Sequence, residues 1–118
     1  MDKNVDIQIL LDVYGNLLPD AQRDNLDFYY NQDLSLGEIA DNTNRTRQAV
    51  FDSIKRGENA LHDFEAKLGF VKKFEILKYG VEKMINLAED FKNSEHFKEH
   101  DIQNFVDSIL ETLYSIKI

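Results

Sequence analysis

Cysteine is absent from this 118-residue chain, which excludes disulfides and thiolate metal sites and fits a reducing cytoplasm. One proline and five glycines are too little punctuation for a many-stranded fold. No stretch approaches the roughly 18 apolar residues of a membrane span. The N-terminus, with Asp2, Lys3 and Asp6, has no basic region followed by an apolar run, so no signal peptide is expected. A basic balance is missing too. Lysine and arginine total 14 against 22 acids, for a formal net charge of −8, whereas a free-standing DNA binder usually carries a basic face. There is no nucleophile with a neighbouring base, no phosphate-cradling glycine loop and no metal signature. His96 and His100 stand four apart with Glu99 beside them, but lack a third ligand at clear spacing. The expectation is a soluble intracellular protein that is not an enzyme and needs no cofactor.

Hydrophobic residues make up 42% of the chain, including 8 Phe and 5 Tyr, enough to bury a core. Length and composition predict one all-helical domain over residues 1–118. The first helix runs from Val5 to Leu18, with Val5, Ile9, Leu10, Val13, Tyr14 and Leu17 at spacings of three and four. Pro19 fits the first turn of a second helix reaching about Asn31, with Asp20 near its positive end. Tyr29 and Tyr30 on that helix read as core aromatics with wet hydroxyls.

Ser35 to Arg56 reads as a helix-turn-helix, two short helices meeting across a tight turn. Ser35 and Glu38 form a capping box ahead of Leu36, Ile39 and Ala40. Asn44 tolerates the left-handed conformation such a turn needs, and Thr46 caps the second helix. Its inward positions are expected to be Ala49, Val50 and Ile54, with Phe51 flanking them. Arg45, Thr46, Arg47, Gln48, Lys55 and Arg56 then form the candidate nucleic-acid surface, since Arg and Gln near the start of such a helix can pair with base edges.

The stripe continues through Ala60, Leu61, Phe64 and Leu68, past Gly57. Gly69 either caps this helix or is absorbed in it. Phe70 to Phe91 repeats the pattern, Asn93-Ser94 ends it, and Asp101 caps a last helix carrying Ile102, Phe105, Val106, Ile109, Leu110, Leu113 and Tyr114. Phe70, Phe74, Leu77, Val81, Met84 and Ile85, with Ile109, Leu110, Leu113 and Tyr114, either fold into a hairpin, pack against a second copy, or do both.

Charge is distributed unevenly. Residues 1–34 hold 7 acids and 2 bases, residues 35–57 hold 3 acids and 4 bases, and residues 58–118 hold 12 acids and 8 bases. Only the helix-turn-helix escapes the acidic balance. Asp52 lies on its outer surface, where it repels phosphate but can accept from cytosine.

Leu18-Pro19-Asp20-Ala21-Gln22-Arg23, then Phe28-Tyr29-Tyr30 and Asp33-Leu34-Ser35-Leu36-Gly37-Glu38-Ile39-Ala40, resembles the C-terminal promoter-recognition domain of sigma factors. Thr46-Arg47-Gln48-Ala49-Val50-Phe51-Asp52, Ile54-Lys55-Arg56, and Leu61, Glu65, Lys67-Leu68-Gly69 and Lys72-Lys73-Phe74 look like the YlxM family of small bacterial helix-turn-helix proteins. The resemblance covers about residues 7 to 75. It implies a sigma-region-4-like four-helix unit over 1–68 containing the helix-turn-helix 35–56, and C-terminal helices over 69–118 that dimerise. It also implies a regulatory accessory role beside the signal recognition particle, with its GTPase subunit or its RNA as partner. A dimeric DNA-binding transcription regulator and a protein-only adaptor are the alternatives. One departure stands out: the position of Arg45 is usually apolar in such motifs, and an outward Arg45 trades packing in the turn for a basic contact.

Overall fold

A computed structural model describes residues 5–93 and 99–116 of the chain. The described residues form six α-helices and no strand: α1 Val5–Tyr14, α2 Asp20–Leu26, α3 Leu36–Thr43, α4 Arg47–Leu68, α5 Phe70–Lys92 and α6 Glu99–Ser115. The chain is all-α. It divides into two compact units, one ending at Val71 and the other beginning at Lys72.

In the first unit α4 is the central element, packed against α1, α2 and α3. Its inward stripe is Val50, Ser53, Ile54, Gly57 and Leu61, spaced by three and four so that all point one way. They meet Ile7, Leu10, Leu11 and Tyr14 of α1, Leu18, Leu26 of α2, Tyr30, and Ile39 and Ala40 of α3 in one apolar core. Small residues set the closest approaches. Gly57 lies where an added Cβ would stand 2.6 Å from Leu26 Cδ1, so α2 and α4 touch through a missing side chain.

Four expectations for this unit are corrected. The buried stripe of α1 is Ile7, Leu10, Leu11, Tyr14 and Leu18, while Ile9 and Leu17 are 39% and 59% exposed. Apolar residues lie nearly all round this segment, so spacing alone admits two phases, and packing against α4 selects one. The α-helix also stops at Tyr14 rather than Leu18. Gly15–Leu17 winds as a tighter 3₁₀ turn, and this carries Leu18 inward. The second helix is α-helical only to Leu26. Asp27–Asn31 then widens into a π turn, with Gln32 N–H bonded five residues back to Asp27 O at 3.1 Å. Tyr30 is buried there, and its hydroxyl donates to Glu58 of α4. Ala49 is exposed instead of inward, because it lies about 100° round α4 from Val50 and the stripe runs past it.

Gly69 resolves as a cap, left-handed at φ 63, and α5 starts immediately after it. The first amides of α5 are held by side chains. Val71 N–H donates to Glu65 Oε1 at 3.0 Å, and Phe70 N–H to the Tyr14 hydroxyl at 3.1 Å. That hydroxyl in turn donates to Glu65 at 2.6 Å.

The second unit is an antiparallel pair. Gly80 of α5 meets Thr112 and Ile116, and Phe91 stacks on Phe105 of α6 with ring centroids 4.6 Å apart. The two helices thus pair as a hairpin, but not through the expected stripes: Phe74, Leu77, Val81, Ile85, Leu110, Leu113 and Tyr114 stay exposed. Helix α6 opens at Glu99, two residues before the expected cap Asp101. Ser94 and His96, which figured in the sequence reading, lie outside the described residues.

Candidate nucleic-acid interface

Local chemistry builds the helix-turn-helix. Ser35 Oγ accepts from Glu38 N–H at 3.1 Å while Glu38 Oε1 accepts from Ser35 N–H at 3.0 Å, so the start of α3 is closed reciprocally. Asn44 ends α3 in the left-handed region at φ 56, ψ 42. Arg45 N–H then returns to Ala40 O at 3.0 Å. The outward Arg45 therefore leaves the turn intact. Thr46 Oγ1 accepts from Ala49 N–H at 3.0 Å and starts α4.

The six candidate residues have different surroundings. Thr46 spends its hydroxyl oxygen as the cap of α4. Arg47, at the first turn, lies over Gly37 of α3, its Nε 3.9 Å from where a Cβ there would be. Gln48 donates from Nε2 to Asp52 Oδ1 at 2.9 Å, one turn along. Lys55 is drawn to Glu58 at 3.3 Å and sits 5.7 Å over the Phe51 ring. Arg45 and Arg56 face the other flank, where both line a cleft of about 650 Å³ between α2 and α4. Gln22 and Asn25 of α2 and Phe28 of the π turn form one wall, and Asn25 Nδ2 donates to Ser53 Oγ at 3.0 Å across the buried join. Asp24 and Asp52 also line it.

Ion pairing separates these cations. Arg23 is paired with Asp20 and Asp24, and Lys55 with Glu58. Arg45, Arg47 and Arg56 make no ion pair among the described residues, although acids outnumber bases 22 to 14 in the chain. All three are exposed, two at the turn and one on the α2 flank of α4. Guanidinium groups held open in this way suit phosphate or a base edge. At 100° per residue, Gln48, Asp52, Lys55 and Asn59 share the outermost face of α4, the face a groove would receive. The sequence reading did not identify Gly37 as the seat of Arg47, nor the buried Asn25–Ser53 pair. The first had no local signal. The second joins positions 28 residues apart.

The site and fold define a helix-turn-helix protein. The family model UPF0122, described as "Putative helix-turn-helix protein, YlxM / p13 like", matches residues 1–105. The chain belongs to this family. A UPF0122 protein of Clostridium kluyveri is 44% identical over 109 residues, covering 92% of this chain and 82% of the relative. One from Desulforamulus reducens is 45% identical over 89 residues, or 75% and 76% of the two chains. A Clostridium perfringens member is 38% identical over 113 residues, 96% and 97% of the two. No described helix is long and apolar enough to cross a membrane.

Proposed function

We propose that this is a non-enzymatic regulatory protein of the cytoplasm that grips duplex DNA through Arg45, Arg47 and Arg56. The carrying observation is that, among the described residues, these three guanidiniums make no ion pair although the chain is acidic. The outer face of α4 favours a duplex with an open major groove, because A-form RNA closes that groove to side chains. The acidic flanks then act as a filter: they weaken contact with nucleic acid everywhere except at the helix-turn-helix.

A second copy completes the reader. At 100° per residue, Phe74, Leu77, Val81 and Ile85 lie about 60–140° round α5 from Gly80. Ile102, Val106, Leu110 and Leu113 lie about 80–160° round α6 from Thr112 in the same sense. The two helices are antiparallel, so both stripes fall on one face of the hairpin. All eight side chains are exposed. A two-fold pairing of this face with itself buries them, and sedimentation across a concentration series reads the resulting dimer.

The acidic balance outside the helix-turn-helix favours a second reading, which the family resemblance also suggests. In it the protein serves the signal recognition particle, meeting the basic surface of its GTPase or RNA complex. One experiment separates the two. Affinity is measured for random-sequence duplex DNA and for the particle's RNA, with the native chain and with Arg45, Arg47 and Arg56 all changed to alanine. Loss of DNA binding in the triple variant, with its helical circular dichroism unchanged, supports the DNA reading. Tight RNA binding without DNA binding favours the particle, and binding to neither refutes a nucleic-acid role.

A further inference from the structure

We infer that Gln48 and Asp52 act together as a base-reading pair that selects cytosine, with Asp52 the specificity-determining residue. The inference rests on the duplex-DNA reading above. Both residues are exposed on the outermost face of α4, one turn apart. A glutamine alone presents a donor and an acceptor side by side, the pattern that suits adenine. Here one Gln48 N–H is committed to Asp52 Oδ1 at 2.9 Å. The pair therefore turns outward two acceptors, Gln48 Oε1 and Asp52 Oδ2, against the single N–H that Gln48 keeps free.

Acceptors select an amine. In the major groove cytosine offers its N4 amine, while guanine offers acceptors at N7 and O6 and thymine an acceptor at O4. Adenine has an amine at N6, but N7 beside it turns a lone pair toward the carboxylate. Adenine N7 must be met by the one N–H that Gln48 keeps free, whereas cytosine asks only for the acceptors that dominate the pair's outer edge. Asp52 also opposes phosphate, so it faces the base edges and lowers affinity wherever the base is wrong. Arg45, Arg47 and Arg56 supply attraction to the backbone, and Asp52 supplies discrimination.

The test is enrichment of bound sequences from a random duplex DNA pool by the full-length protein, repeated with Asp52→Asn and Asp52→Ala. The native chain should enrich a site with a fixed cytosine. Replacing that base by an analogue lacking the N4 amine should weaken binding roughly tenfold. Both variants should bind unselected DNA at least as tightly as the native chain and lose the preference at that one position. An unchanged preference in both variants overturns the inference but leaves the DNA reading intact, as does a native site with no fixed cytosine. Recovery of no duplex at low salt overturns both. Asp52 is exposed and outside the core, and circular dichroism checks that each variant is folded.

Discussion

Gly57 sits in the middle of the helix that carries the recognition surface, and the reason it is glycine can be tested by reversing a sign. Alanine is favoured over glycine inside a helix by about 1 kcal/mol. At Gly57, however, a Cβ would stand 2.6 Å from Leu26 Cδ1 and 3.3 Å from Leu26 Cγ, inside the 3.4 Å at which ordinary contact begins. Leu26 is fully buried and cannot swing away. Overpacking of this kind costs roughly 1–3 kcal/mol, so Gly57→Ala alone should destabilise the protein by about 0–2 kcal/mol. Leu26→Ala removes both offending atoms and should by itself cost about 2–5 kcal/mol. In that background the nearest remaining atom is Gln22 Cβ at 3.8 Å, an ordinary contact. Gly57→Ala should then stabilise by about 1 kcal/mol, its helical preference no longer opposed. Urea unfolding of the four proteins, followed by circular dichroism, gives the cycle. A coupling of about 1–3 kcal/mol is expected. Additivity to within about 0.5 kcal/mol would refute the close approach of α2 and α4.

Ser35→Ala removes the oxygen that accepts from Glu38 N–H and should cost about 1 kcal/mol, read as a shift in the same unfolding curves. Tyr30 makes a pH prediction. Burial, and then its bond to Glu58, push its hydroxyl above the ordinary tyrosine range. The folded state therefore holds this proton more tightly than the unfolded chain does. The stability is fully present below about pH 10, the unfolded value, and falls as pH rises beyond it. Tyr30→Phe should flatten that alkaline fall, and a fall as steep as the native one would show that the phenol contributes nothing to it.

What could be read from the sequence was local. The capping box of Ser35 and Glu38, the left-handed Asn44 and the Thr46 cap each depend on residues within a few positions. Each was visible as a short pattern with a known geometry. The register of α1 was not, since two apolar phases coexist there and only contact with α4 decides between them. The π turn at Asp27–Asn31 and the need for glycine at position 57 are settled by long-range packing. The site divides in the same way. Arg47, Gln48 and Lys55 were placeable on the outer surface of α4 from helical spacing and Thr46 from its capping chemistry, whereas the direction of Arg45, in the turn, was open. The Lys55–Glu58 pair is likewise local, three residues apart within α4, whereas the placing of Arg45 and Arg56 together across from α2 emerges only when the helices are assembled.

Salt dependence of duplex DNA binding tests the central claim most directly. Each phosphate neutralised contributes a slope of about −0.9 to log affinity against log salt. Three unpaired arginines on one helix-turn-helix thus predict a slope near −2.7, a loss of roughly 40-fold between about 50 and 200 mM salt. A two-fold dimer engaging both copies would double the slope. Arg47→Ala should shallow it by about one unit per copy while leaving the fold unchanged. A slope near zero, or one indifferent to all three arginines, would contradict the account.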